Sequence, residues 1–206
     1  MSRGRLITIE GIDGAGKTTL AKKLEAALKA RGIEVHLLRE PGGVQAAERV
    51  RELVKDPAMT IGDRAEALLY AAARAQLVEE ALKPLLDTGA WVLLDRFVDS
   101  SLAYQGAGRE LGIEAVREIN KFATGDLTPD RTLLLSVAPS LGRERSWLRS
   151  DPPDRLEREE AEFHARIAAA YAELAAAEPQ RIRSIDATED PERVLAAALD
   201  ALADLL

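Results

Sequence analysis

Short apolar runs alternate along the chain with stretches of helical spacing. Leu6-Ile7-Thr8-Ile9 precedes a helical stretch from Lys17 to Ala30, and Val35-His36-Leu37-Leu38, Trp91-Val92-Leu93-Leu94 and Leu133-Leu134-Leu135 follow. Runs that are apolar at nearly every position suit strands covered on both faces, as in a parallel sheet. Arg181-Ile182-Arg183-Ser184-Ile185 alternates instead, which predicts an edge strand. Leu68, Leu69, Ala72, Val78, Leu82 and Leu85 predict the buried stripe of a long helix over 63–86. Asp190-Pro191 reads as N-cap and first residue of a final helix buried through Leu195, Ala198, Leu199 and Leu202. The pattern predicts one α/β domain over 1–206, a doubly wound parallel sheet of about five strands. The polar segment 143–158, containing Ser150-Asp151-Pro152-Pro153-Asp154, reads as a mobile surface flap.

Composition narrows the function classes. The 206 residues are 47% hydrophobic and 31% charged, with a net charge of −7, which argues against a surface for nucleic-acid polymers. Three Phe and three Tyr are too few for a base-stacking platform. No cysteine is present, which excludes disulfides and thiolate chemistry and fits a cytoplasmic setting. No apolar run approaches the roughly 20 residues of a membrane span, and no leader segment is expected.

The chemistry gathers where the predicted strands end. Gly11-Ile12-Asp13-Gly14-Ala15-Gly16-Lys17-Thr18 matches G-x-x-x-x-G-K-[ST], with a strand before it and a helix after. Such a loop turns backbone N–H groups onto phosphate oxygens, and the helix N-terminus favours the same charge. Lys17 is placed to reach the β and γ phosphates of ATP, and the Thr18 hydroxyl to ligate Mg2+. Asp95-Arg96 ends the third strand, where an Asp can hold Mg2+ and an Arg can bridge phosphates. Asn120-Lys121-Phe122-Ala123 lacks the final Asp of a guanine-reading N-K-x-D, which weighs against a GTPase. Arg39-Glu40-Pro41-Gly42-Gly43 belongs to the site edge, and Ser100-Ser101-Leu102-Ala103-Tyr104-Gln105-Gly106 reads locally as a capped helix start with groups suited to a base edge. Arg74 and Tyr70, one turn apart among alanines, are by themselves ordinary helix surface. Arg143, Arg145, Arg149, Arg155 and Arg158 crowd the flap and suit a lid that brings cations to a transferring phosphate.

Taken together, the loop from Glu10 to Thr19, Arg39 to Gly43, Asp95-Arg96-Phe97 through Arg109, and Asp154-Arg155-Leu156-Glu157 resemble the bacterial thymidylate kinase family. The resemblance implies a homodimer that phosphorylates dTMP from ATP. It implies that Asp13 lies by the sugar 3′-hydroxyl and that Arg51 and Arg96 hold the dTMP phosphate. It places Tyr70 on the thymine ring, Arg74 on a thymine carbonyl and Ser101 and Gln105 before the base. Tyr104 then crowds the 2′ position, Glu40 lies by the substrate loop, and Arg143 neighbours adenine. Because residue 14 is glycine, the catalytic cation is expected from the lid, from Arg149 first and otherwise Arg145 or Arg155. Two other functions compete: a kinase for a different deoxynucleoside monophosphate, and a nucleotide-dependent switch or adaptor.

Overall fold

A computed structural model describes residues 3–147 and 154–206, with Trp147 by its backbone alone. Five parallel strands run β1 (Leu6–Glu10), β2 (Val35–Arg39), β3 (Trp91–Asp95), β4 (Arg131–Ser136) and β5 (Ile182–Asp186). Their spatial order is β2-β3-β1-β4-β5, which puts the predicted edge strand at an edge. In register, Ile9 of β1 lies beside Asp95 of β3 and Leu133 of β4, so the strand ends that carry the chemistry are level.

Side chains of successive strand residues point to opposite faces. Leu6, Val92 and Leu94 pack with Leu77, Val78, Leu82 and Leu86 in one apolar cluster. Ile7, Ile9 and Leu93 face the larger cluster, with Leu20, Leu24 and Leu28 of α1 (Lys17–Ala30). The other helices are α2 (Gln45–Lys55), α3 (Asp63–Leu77), α4 (Lys83–Asp87), α5 (Val98–Ser101), α6 (Ile113–Thr124), α7 (Pro139–Trp147), α8 (Ala161–Ala177) and α9 (Pro191–Asp200). Asp190 caps α9 by accepting from the backbone N–H groups of Glu192 and Arg193 at 3.0 and 3.1 Å.

Three sequence expectations change. The helix over 63–86 is α3 and α4 joined through a π-helical turn, Val78–Leu82. Its first half buries Glu66, Ala67, Ala71, Ala73, Arg74 and Leu77, while Leu68 is 57% exposed. The buried face here sets two charged residues, Glu66 and Arg74, among small alanines because α3 walls a site, and apolar spacing does not register such a face. In α9 Ala198 is buried as expected and so is Leu202 just beyond its end, but Val194 joins the buried face while Leu195 and Leu199 are only half-buried. The segment Ser100–Gly106 is no capped helix start. It is the end of α5 continued by a second π-helical turn, Leu102–Gly108, with no side-chain cap. Turns of this kind carry one extra residue and are frequent at functional sites.

Candidate active site

The loop 11–18 leaves β1 and enters α1, whose N-cap Gly16 has φ 96°, a left-handed conformation that glycine adopts without strain. Lys17 is 8% exposed and donates to the carbonyls of Gly11 at 3.1 Å and Ile12 at 2.9 Å. It thus folds back over its own loop. Burial and the neighbouring Arg96 charge lower the Lys17 ammonium to about 8, against the pull of Asp13, Asp95 and Glu10. Thr18 Oγ1 donates to Asp95 Oδ2 at 3.2 Å, so the two oxygens expected to meet Mg2+ sit side by side. Hard oxygen donors suit that ion. Among the described residues no group of three or more His, Cys, Asp or Glu side chains is placed to hold a metal ion.

Arg96 lies at φ 71°, unusual for a residue with a Cβ, and four contacts hold it there. Its guanidinium donates to the Gly11 carbonyl at 3.0 Å, Ser100 Oγ at 3.1 Å, Asp13 Oδ1 at 2.6 Å and Tyr104 OH at 3.2 Å. Tyr104 OH donates in turn to Asp13 Oδ2 at 2.9 Å. Burial works to raise the Asp13 carboxyl, but Arg96 and Lys17 hold it well below the usual carboxylate range.

Beneath this group lies Glu10, fully buried at the end of β1. It accepts from Phe97 N at 2.7 Å, Ser100 Oγ at 2.6 Å and Tyr171 OH at 2.9 Å. Burial and the nearby Asp99 charge push its pKa up, against these hydrogen bonds. Glu10 thereby ties β1 to the chain segment that carries Arg96. Sequence reasoning gave it no role, although a carboxylate closing a nearly all-apolar run is a visible signal.

Arg74 is 2% exposed. Nε donates to Glu40 Oε2 at 2.8 Å, Nη1 to Ser101 Oγ at 2.9 Å and to Asn120 Oδ1, and Nη2 to the Phe97 carbonyl at 2.9 Å. It is a buried junction of four segments rather than helix surface. Tyr70, one turn earlier, is half-buried, and burial beside Glu66 raises its hydroxyl so that it stays neutral. Arg51 donates to the Pro41 carbonyl at 2.9 Å.

A cavity of about 580 Å3 joins these parts. It is lined on one side by Asp13 to Thr19, Asp95 and Arg145, and on the other by Glu40, Arg51, Tyr70, Arg74, Ser101, Tyr104 and Gln105, with Arg96 included. Gly11 and Ile12 contribute beneath it through backbone carbonyls.

The flap residues separate. Arg143 and Arg145 belong to α7, which rests on the loop. A Cβ on Gly14 would lie 1.9 Å from the Gly142 carbonyl oxygen, so no side chain fits at residue 14 while α7 is in place. Arg145 donates to the Ala187 carbonyl at 2.9 Å, and Arg143 is half-buried outside the cavity lining. Arg155 turns to α2 and α3, donating to the Val54 carbonyl at 3.1 Å and to Glu66 Oε2 at 2.5 Å. Arg149 lies outside the described residues. Glu66, which the sequence reading passed over, is the fully buried acceptor for Arg155, Arg109 and Gln105.

A glycine-rich loop between a buried strand and a helix, a lysine folded over it and a Thr–Asp pair at its mouth define a P-loop protein built to hold nucleoside phosphates. A family model described as thymidylate kinase matches residues 9–198. A curated thymidylate kinase from Deinococcus radiodurans is 51% identical over 97% of this chain and 96% of its own. Those of Oenococcus oeni and Lactobacillus delbrueckii subsp. bulgaricus are 48% identical over 100% and 98%, and 46% identical over 96% and 94%. The chain belongs to the thymidylate kinase family.

Proposed function

We propose that this protein transfers the γ-phosphate of ATP to dTMP, giving dTDP and ADP. The observation that carries this reading is the single cavity that joins the phosphate loop to a second, buried compartment with groups suited to a deoxynucleotide. In the proposed reaction Lys17 leaves the loop carbonyls for the β and γ phosphates and steadies the charge that moves onto the leaving oxygen. Arg96 and Arg51 hold the acceptor phosphate near it. Thr18 and Asp95 would hold Mg2+, which when bound would neutralise phosphate charge. Tyr70 stacks on thymine, and Asp13, fixed by Arg96 and Tyr104, accepts from the sugar 3′-hydroxyl. The cation completing the site comes from the lid segment, from Arg149 or Arg145. Arg143 lies towards adenine.

ADP formation should be measured against a panel of nucleoside monophosphates. dTMP is expected to give the highest kcat/KM, and the ribose analogue of dTMP a much lower one because the Tyr104 ring crowds the 2′ carbon. Tyr104→Ala should narrow that gap. A panel led by another monophosphate would overturn the reading, and ATP hydrolysis indifferent to every acceptor would favour a switch.

The working unit in this reading is a homodimer in the cytoplasm. Phe122 on α6 is 93% exposed and Leu68 on α3 is 57% exposed, and a second copy would cover both. Phe122→Glu with Leu68→Glu should convert a dimer to a monomer in sedimentation equilibrium; a wild-type monomer would remove the proposal. No helix among the described residues is long and apolar enough to cross a membrane.

A further inference from the structure

Glu66, in the first turn of α3, is 0% exposed, and such burial is costly for a carboxylate unless its partners are strong. Two are guanidinium groups: Arg155 Nη2 at 2.5 Å and Arg109 Nη2 at 3.1 Å, both on Oε2. The third is neutral, the side-chain amide of Gln105, 2.8 Å from Oε1.

That third contact determines which way the amide faces. A carboxylate held by two guanidinium groups offers acceptors only. The Gln105 atom against it is therefore the nitrogen, since the amide oxygen there would set acceptor against acceptor. Gln105 is 2% exposed, lines the cavity and sits in the π-helical turn beside Tyr104. With its nitrogen held by Glu66, its Oε1 is left as the group it offers elsewhere. No described residue donates to that oxygen.

We infer that Glu66 is a positioning residue for base choice: by holding the Gln105 amide nitrogen, it presents the Gln105 carbonyl oxygen as a fixed acceptor to a pyrimidine that carries a hydrogen on ring nitrogen 3. This rests on the reading of the buried compartment as the monophosphate site. Thymine and uracil carry that hydrogen, whereas cytosine has a lone pair at the same position. A free glutamine would serve either ring by turning its amide over. A glutamine clamped at nitrogen serves only the first, because cytosine would meet acceptor against acceptor. Arg109 and Arg155 act one step further out, keeping the Glu66 carboxylate in place.

The experiment compares kcat/KM for dTMP and dCMP in wild type, Glu66→Gln and Gln105→Ala. Glu66→Gln keeps the size of the side chain but supplies both donor and acceptor, so the Gln105 amide is free to turn. The ratio of dTMP to dCMP is expected to fall about 10-fold, the scale of one hydrogen bond gained and one repulsion removed. A smaller folded fraction scales both substrates equally, so the ratio is insensitive to lost stability. If Gln105→Ala shifts the ratio and Glu66→Gln does not, the site reading stands and the role of Glu66 is overturned. If Gln105→Ala leaves both the ratio and dTMP turnover unchanged, the site reading itself fails. Should Glu66→Gln not fold, the wild-type Gln105 side-chain NH2 resonances decide. Slow hydrogen exchange of that NH2 before and after dTMP addition supports the clamp, and fast exchange in either state overturns it.

Discussion

Lys17→Ala should lower turnover by about 100-fold or more, because a cationic clamp on a developing phosphate charge contributes several kcal/mol in the transition state. Far-ultraviolet circular dichroism should stay native. Among the described residues the Lys17 ammonium donates only to the Gly11 and Ile12 carbonyls, which water at the cavity can satisfy once the side chain is gone. The titration of Lys17 supplies a second signature. Burial and Arg96 bring the ammonium down to about 8, so it is charged below that pH and loses its proton as pH rises through it. ATP affinity should therefore decline above about pH 8 in wild type, and Lys17→Ala should lack that step. Calorimetric titration of ATP at several pH values, with steady-state turnover beside it, checks both. Turnover within about threefold of wild type would place the clamp elsewhere. Arg145 and Arg149, each replaced by Ala in the same assays, locate the lid cation: the one that meets the transferring group lowers kcat far more than it alters KM for dTMP.

Most of the fold can be read from the sequence because two periodicities carry it. Fully covered strands leave unbroken apolar runs, and β1, β3 and β4 fall where such runs lie. The phosphate loop is legible for a different reason: its chemistry needs particular residues at particular spacings in one contiguous stretch. What escapes is whatever depends on contacts far apart in sequence. Glu10 meets Tyr171 across 161 residues and Glu66 meets Arg155 across 89. Each is a single charged residue without a local pattern to mark it. Leu68 misleads in the opposite direction, since helical spacing marks an apolar position but not which face the fold buries. The lid arginines were legible as a cluster but not individually. Arg145 lines the cavity while Arg155, ten residues on, is held on Glu66.

Arg74→Gln should destabilise the protein and weaken base choice together, and the two effects can be separated. The side chain is 2% exposed, and its guanidinium holds Glu40, Ser101, Asn120 and the Phe97 carbonyl at once. Removing one member of a buried ion pair leaves the other unpaired, at a cost of about 3–5 kcal/mol. That cost should depend on pH. Burial raises the Glu40 carboxyl from 4.5 to about 7, while Arg74 pulls it down. A carboxyl raised in the fold contributes stability when protonated. The contribution is complete below about 4.5 and disappears as pH rises through about 7. Without Arg74 the carboxyl rises further, so the variant should lose more ground to wild type at pH 8 than at pH 6. Urea denaturation at the two pH values measures this directly. An equal loss at both would mean that Glu40 does not depend on Arg74 for its charge. Base choice is read separately, from kcat/KM for dTMP and dCMP in the folded variant. A guanidinium can only donate, which suits the thymine carbonyl at position 4 and not the cytosine amino group. A glutamine amide suits both, so the preference for dTMP should drop about 10-fold. Arg74 makes four hydrogen bonds to protein acceptors and its Nη2 also lies 2.6 Å from Glu40 Oε2, so a thymine oxygen would share one of these donors. A pH-dependent loss of stability with an unchanged substrate ratio would therefore make Arg74 the support of the wall, and leave base reading to Gln105 and Ser101.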